Sequence, residues 1–504
     1  MGHSLSKSKS RARQKNRPNQ KMASLTIRNI TVTPLELKLV ERFEGEPVPK
    51  EGGMAANITS AITGLFNGTA QSPAATACVV PREGKPRETK EVSGVAIEPF
   101  ATRATDIRAA DPGREVLRLT FEEKGRPGHR YVVDAPGPTS RSVVMRQGGD
   151  AEHEFTTVYV PSGGFLAIYS SANLSRWMRE LPDKTPLSML SIPGTHNSPT
   201  CHVALPSVRC QAVDVREQLD NGVRFLDIRV SANPGADDDL TLVHSAFPIS
   251  LTGSKYLTHL LAHVYDFLDK NPSEVLLMSL KREGTGKGTD GDLSRHLSGP
   301  RYIGDEGGKR WFTEPRIPTL GEARGRIVLV RRFGLDDGVR KSVHGGRGWG
   351  VDGSSWPDNC EDAPTGSGHF RVQDFYEVDQ STNIEKKIEL SRRQLERAAE
   401  QRLDPAALQQ QSKDKPSPPL FVNFLSASNF FNASCWPDRI AAKVNPAVIE
   451  YLCMRHGEPE KGPNKLKVGD GATGIVITDW VGNNGDWDLI RCIVGWNARL
   501  QLKK

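Results

Sequence analysis

No apolar run in this 504-residue chain approaches the roughly 18 to 20 residues that a membrane-spanning helix needs. The first twenty residues also lack the apolar core of a secretory leader. Cysteine is sparse: seven residues, at 78, 201, 210, 360, 435, 453 and 492, odd in number and without C-x-x-C spacing. That pattern excludes a disulfide framework and a zinc cluster of paired cysteines, and it fits buried thiols in a reducing compartment. The five Asn-x-Ser/Thr triplets, at Asn29, Asn57, Asn67, Asn173 and Asn432, are then read as chance, and the expected location is cytoplasmic. The body also lacks an excess of either charge. Of 67 basic residues seven lie in residues 1–21, which hold no acidic residue, leaving 60 basic against 60 acidic. A neutral body offers no nucleic-acid face, so the basic tail is a separate device.

That tail opens Met1-Gly2-His3-Ser4-Leu5-Ser6, the pattern for N-myristoylation at Gly2. One acyl chain binds a bilayer marginally, and basic residues add about 1 kcal/mol each near an anionic leaflet. Residues 1–22 therefore read as a disordered basic tail suited to an anionic membrane; the plainer reading is a solubilising arm.

Residues 23–172 show short alternating strands with turn signals, the texture of an all-β sandwich. Candidates are Leu25–Val32, Val92–Ile97, Val116–Phe121, Tyr131–Val133, Thr156–Val160 and Phe165–Ser170, with a long insertion at 44–87. From 173 to 504 strands alternate with helical segments such as Tyr256–Lys270 and Asn383–Arg402. Eight strand candidates are Leu187–Ile192, Val223–Arg229, Leu240–His244, Glu274–Lys281, Arg326–Arg332, Phe370–Tyr376, Leu420–Phe424 and Gly474–Trp480. Eight such units predict a TIM-type α/β barrel, with a loop near 406–419.

Chemistry in such barrels sits at the C-terminal strand ends. Those ends carry His196, Arg229, His244, Lys281, Arg332, Asp374, Tyr376 and Asp479. Closure sets the last strand beside the first, so Asp479 is expected near His196, and Arg229 between His196 and His244. Two imidazoles flanking a guanidinium suit phosphodiester cleavage without a metal. One ring takes the proton of a neighbouring hydroxyl, the other protonates the leaving oxygen, and the cation faces the phosphate. An aspartate behind one imidazole fixes its tautomer.

The stretches Ile192-Pro-Gly-Thr-His-Asn-Ser198, Gly222-Val-Arg-Phe-Leu-Asp-Ile-Arg229, Leu277-Met-Ser-Leu-Lys-Arg-Glu283, Gly325-Arg-Ile-Val-Leu-Val-Arg-Arg332, Trp356-Pro-Asp-Asn359, Val372-Gln-Asp-Phe-Tyr376 and Val476-Ile-Thr-Asp-Trp480 carry a resemblance. Through them residues 185–497 resemble the catalytic domain of phosphatidylinositol-specific phospholipase C, of the bacterial and fungal single-barrel type. The resemblance implies attack by the inositol 2-hydroxyl, giving diacylglycerol and inositol 1,2-cyclic phosphate. It makes His196 the base, His244 the acid, Arg229 the phosphate ligand and Asp479 the support of His196. Lys281, Arg332 and Asp374 would bind inositol hydroxyls, Tyr376 would stack on the ring, and Trp436 would touch the membrane. The implied partner is phosphatidylinositol at a membrane surface, met by a monomer without a cofactor.

Asn197 departs from the bacterial pattern, which has an aspartate there to orient the arginine; the calcium-dependent eukaryotic enzymes have asparagine. Calcium needs several oxygen ligands. Asp227 could be one, yet Arg229 stands where another acidic ligand would be, so metal independence is expected, with a slower reaction. Two readings from other classes remain. One is a catalytically weak lipid- or glycan-binding module. The other is a glycerophosphodiesterase, which needs a cation-binding carboxylate cluster that the sequence does not show. His259 and His263, four apart, read as surface residues, and Gly469-Asp-Gly-Ala-Thr-Gly474 precedes a strand and opens no helix, so it is no dinucleotide loop.

Overall fold

The computed structural model describes residues 23–47, 78–111, 113–170, 173–304, 307–402 and 417–502. Gly2, the basic tail, most of the 44–87 insertion and most of the 406–419 loop lie outside them.

Two sheets form the N-terminal part. One runs Ser142–Val144, Thr156–Val160, Phe165–Tyr169, Ser24–Ile30, Thr102–Arg108. The other is built around Leu35–Glu44, Glu115–Glu123 and His129–Ala135. Between them lies a core of Leu25, Ile27, Leu37, Leu119, Phe121, Tyr131, Leu166 and Ile168. The strand Leu35–Glu44, absent from the sequence expectations, is central to the second sheet; Glu36, Lys38 and Glu41 are partly exposed, while Arg42 is buried and donates to Glu115 and to the Arg108 carbonyl.

The strands Thr156–Val160 and Phe165–Tyr169 are buried throughout, because the first sheet is covered on both faces. Leu166 and Ile168 point into the inter-sheet core. Phe165, Ala167 and Tyr169 point the other way and join Val444, Val448 and Leu452 of the helix Pro437–Met454, and Ile493 of the helix Asp488–Gly495. The two parts thus share a core. Arg28 crosses the seam: its guanidinium donates to the carbonyls of Cys453 (3.3 Å) and His456 (2.6 Å) and lies 5.3 Å from the Trp496 ring centre. Asp488 accepts from the amides of Arg141 and Ser142 at 2.8 and 3.1 Å.

The C-terminal part curls one ten-stranded sheet. Its main strands are β1 (Ile192–Thr195), β2 (Phe225–Ser231), β3 (Leu276–Glu283), β4 (Ile327–Arg332), β5 (Phe370–Gln373), β6 (Leu420–Phe424) and β7 (Ile475–Thr478). The spatial order is β4-β3-β2-β1-β7-β6-β5, and each of these neighbours is parallel. The last strand lies beside the first, as closure requires. The expected closed barrel is corrected in one respect: among the described residues no ladder joins β4 or Val351–Asp352 to β5. Trp356 stands in that stretch of chain, 5.5 Å from Phe370 and 6.1 Å from Phe424 between ring centres.

A second correction concerns Leu240–His244, expected as the third barrel strand. β3 pairs with β2 over seven residues from Phe225↔Leu277 to Ser231↔Glu283, so that edge of β2 is taken. The 240–244 segment instead bridges at Val230↔Leu242 and Thr241↔Tyr256, and Val243–His244 forms a small hairpin with Phe247–Pro248. The loop turns at Ser245, whose φ is +53°.

Below the sheet, Arg224 and Glu274 form an ion pair of 2.9 Å in which both side chains are fully buried. Arg224 also donates to the carbonyls of Leu174, Ser175, Leu219 and Val223, tying the segment that enters the barrel to its floor. Removing one partner strands the other charge. Glu274→Ala should therefore lower unfolding stability by about 3–5 kcal/mol, read from the midpoint of urea denaturation. A midpoint matching the parent protein would show that the pair has no structural weight.

Candidate active site

The C-terminal ends of the parallel strands converge on one cleft, and the strand register decides which side chains meet. Arg229 pairs with Lys281, and Lys281 with Arg332, so three cations form a row across β2, β3 and β4. Left alone they would repel. Residues two apart on a strand share a face, so Asp227 and Glu283 stand beside this row. Asp227 Oδ2 accepts from Arg229 Nε at 3.2 Å and Nη2 at 3.0 Å. Glu283 Oε1 accepts from Arg229 Nη1 at 3.0 Å and from Lys281 Nζ at 2.8 Å. Its other oxygen accepts from the Ser245 amide at 2.7 Å, which fixes the hairpin carrying His244. Burial opposes the charge of Glu283, but Arg229 and Lys281 outweigh it and bring the carboxyl down to about 2. Burial likewise opposes the charges of Asp227 and Arg229, yet each holds the other firmly ionised.

His196 follows β1 directly, and Asp479 follows β7. The adjacency of those strands sets His196 Nδ1 3.0 Å from Asp479 Oδ1. Gln211 braces the pair, donating to the His196 carbonyl at 2.7 Å and to Asp479 at 3.4 Å. His244 approaches from its hairpin, its ring centre 5.6 Å from that of His196 and its plane nearly perpendicular. His244 Nδ1 is 2.8 Å from the Val208 carbonyl. Both rings thus have Nδ1 engaged, leaving Nε2 for chemistry.

The two rings differ in proton affinity. For His196, burial disfavours the cation, but Asp479 overrides it and raises the ring to about 10. For His244, burial and then the positive charges of Arg229 and His196 push it down to about 3. At neutral pH these shifts make His196 the cationic ring and His244 the neutral one.

Asn197 is fully buried with φ +39°, and its amide side chain has no hydrogen-bond partner, while its backbone N–H donates to Asp227 at 3.0 Å. The carboxylate expected to be missing beside Arg229 is therefore supplied by Asp227 and Glu283. Among further unpartnered buried atoms are Asp227 Oδ1, Asp479 Oδ2 and Arg332 Nε and Nη1. Buried polar atoms without partners at one cleft mark a place where a polar ligand completes the network.

Arg332 lies 4.2 Å from the Trp356 ring centre, 3.6 Å from Asp227 and 4.0 Å from Asp374. Asp374 receives the Trp356 indole N–H at 3.2 Å, and burial raises its carboxyl. Tyr376 stands at the rim, 36% exposed, its hydroxyl on Asp358 at 2.9 Å. Trp436 is half-buried at the start of the helix Pro437–Met454, its indole 3.4 Å from the Phe430 carbonyl. The exposed aromatics of that loop are Phe430 and Phe431, at 43% and 94%. Phe430 stacks on Phe247 of the His244 hairpin at 5.4 Å.

Lys387, which the sequence reading missed, is fully buried behind the site and donates to the Phe375 carbonyl at 2.6 Å and to Gln373 at 3.1 Å. Burial pulls it down to about 7, against Asp374 and Asp479. Helical spacing was the available signal: Lys387 shares a face with the buried Ile384, Leu390, Ser391, Gln394 and Leu395. Glu283 lay inside a quoted stretch without a role, and Gln211 had no motif around it. His259 and His263 are exposed on the helix Leu257–Lys270.

Asp227 and Glu283, which calcium would want as oxygen ligands, are each paired with the Arg229 cation.

Asp479→Asn removes the anion that holds the proton of His196. Nuclear magnetic resonance of the ring should then show His196 titrating well below about 10. An unmoved titration would remove Asp479 from its assigned part.

Residues 184–285 match the family model described as PI-PLC X. The 1-phosphatidylinositol phosphodiesterase of Listeria monocytogenes is 32% identical over 195 residues, 35% of this chain and 58% of that protein. The protein of the same name from Staphylococcus aureus is 27% identical over 345 residues, 64% of this chain and 90% of that protein. A solved double mutant of the S. aureus phosphatidylinositol-specific phospholipase C superposes with a TM-score of 0.50 at 25% identity, covering 65% of this chain and 97% of that one. Residues 184–285 thus carry a PI-PLC X domain, and the sheet around them is similar in sequence and fold to bacterial phosphatidylinositol-specific phospholipases C.

Proposed function

We propose that this chain cleaves phosphatidylinositol, or its glycosylated forms, by attack of the inositol 2-hydroxyl on the phosphodiester. The products are diacylglycerol and inositol 1,2-cyclic phosphate. The observation that carries the reading is the pair of imidazoles 5.6 Å apart, one backed by Asp479, with the buried Arg229 charge acting on both.

The phosphodiester anion sits against Arg229 and offsets the positive charge that lowers His244. The proton is then redistributed: His244 carries it and His196 is free to act as base. His196 Nε2 takes the 2-hydroxyl proton, and Asp479 stabilises the resulting imidazolium. The oxygen attacks phosphorus, Arg229 faces the equatorial oxygens, and His244 delivers its proton to the departing glycerol oxygen. Asp227 and Glu283 position Arg229. Lys281, Arg332 and Asp374 bind inositol hydroxyls, Tyr376 covers the ring, and the unpartnered Asn197 amide is within the same network. This chemistry needs no metal, which the engagement of the carboxylates by Arg229 supports.

His196→Ala and His244→Ala should each lower turnover by about 10²–10⁴-fold while circular dichroism stays unchanged. Phosphorus NMR with excess chelator identifies the product. Binding of phosphatidylinositol without turnover in the parent protein would replace this reading with that of a lipid-binding module.

We further propose that the enzyme works as a monomer docked on a membrane surface, to which the basic tail and acylation at Gly2 add hold. No helix among the described residues is long and apolar enough to cross a membrane. The rim instead presents Val203, Leu251, Phe430 and Phe431, exposed by 68, 63, 43 and 94%. Burying one phenylalanine contributes about 1.5–3 kcal/mol. Phe431→Ser should therefore weaken partitioning onto phosphatidylinositol vesicles about tenfold or more by sedimentation. Unchanged partitioning would move the membrane contact elsewhere.

A further inference from the structure

Cys210 is a buried thiol that the proposed chemistry does not use. One ligand atom each of His196, Cys210 and His244 lies within 4.8 Å of the other two, and the Cys210 sulfur is 3.8 Å from His244 Nδ1. No comparable group of three His, Cys, Asp or Glu side chains occurs elsewhere among the described residues. The cysteine is set rigidly: its amide donates to Thr200 Oγ1 at 3.2 Å, and its carbonyl accepts from the Trp480 amide at 2.9 Å.

We propose that His196, Cys210 and His244 form an inhibitory site for a thiophilic divalent cation, zinc above all. Two imidazoles and a thiolate are a borderline-soft donor set suited to zinc, and three protein ligands leave a fourth position open. Ligating histidines ordinarily have the second ring nitrogen held by a carboxylate or a carbonyl. His196 already has that support, its Nδ1 on Asp479 at 3.0 Å, whereas the His244 nitrogen that faces the sulfur is Nδ1, which gives up the Val208 carbonyl at 2.8 Å to take the metal. Zinc–ligand bonds of about 2.0–2.3 Å need the three donors to draw together slightly. The thiol loses its proton to solvent as the sulfur–metal bond forms. The occupied site has no free lone pair on His196 to take a proton, so bound zinc blocks turnover and competes with the lipid phosphate.

The inference goes beyond the proposed cleavage, and part of its test does not depend on turnover. The full chain and Cys210→Ser are each titrated with Co²⁺ as a spectroscopic stand-in, and with Zn²⁺ in a phosphatidylinositol assay. The serine variant keeps both imidazoles. The parent protein should develop a thiolate-to-cobalt charge-transfer absorption that zinc abolishes and that Cys210→Ser lacks. The variant should retain its basal rate and need roughly tenfold or more zinc for half-inhibition, since loss of even a supporting contact to a ligand costs 10–100-fold in affinity. Equal cobalt spectra for the two proteins, or equal zinc sensitivity, would overturn the proposal. A cobalt difference in a protein that turns over no lipid would uphold the site and sink the proposed activity instead.

Discussion

Arg229 is a guanidinium placed inside a protein, and the neighbourhood is arranged around that fact. A cation in such a setting is tolerable only when carboxylates surround it. Asp227 from its own strand and Glu283 from the next do so at 3.0–3.2 Å. The same two carboxylates reach outward. Asp227 receives the Asn197 backbone N–H, and Glu283 receives Lys281 and the Ser245 backbone N–H. One electrostatic constraint therefore sets the Arg229 guanidinium, the turn after His196 and the hairpin that presents His244.

Arg229, Lys281 and Arg332 face Asp227, Glu283 and Asp374, His196 faces Asp479, and the buried Lys387 lies behind Asp374 and Asp479. Asp479 holds the proton on His196, whereas burial first, and Arg229 after it, keep His244 neutral. On the proposed reading, a phosphate over Arg229 offsets the part of that bias that Arg229 sets.

The sheet that precedes the barrel is part of the same construction. Its outer face supplies Phe165, Ala167 and Tyr169 to a core shared with the helices Pro437–Met454 and Asp488–Gly495. Those helices come just before and after β7, whose Val476 joins the same core, so the N-terminal part buttresses the strand that leads to Asp479. Arg28 and Asp488 fasten the seam with hydrogen bonds to backbone, which fixes orientation as well as contact.

Much of the site was legible in the chain because strand ends are local features. Apolar runs that stop at a polar residue placed His196, Arg229, Lys281, Arg332, Asp374 and Asp479 at one end of a parallel sheet, and short motifs carried the family likeness. The run ending in His244 had the same signature but joined a hairpin, because strand pairing depends on which edge is free, and β3 had taken the edge of β2. Lys387 lies on the apolar face of its helix, a signal in the spacing that was not used, and the docking of that helix buries it. Trp436 was singled out, while the neighbouring Phe431 is the exposed ring, since exposure is a property of the folded surface. The sequence by itself determined the residue types and the strand ends, which follow from local periodicity. Tertiary structure alone decided the partners of Arg229, the inverted proton affinities of the two histidines and the position of Cys210 between them. Burial and charge proximity are set by contacts between segments far apart in the chain.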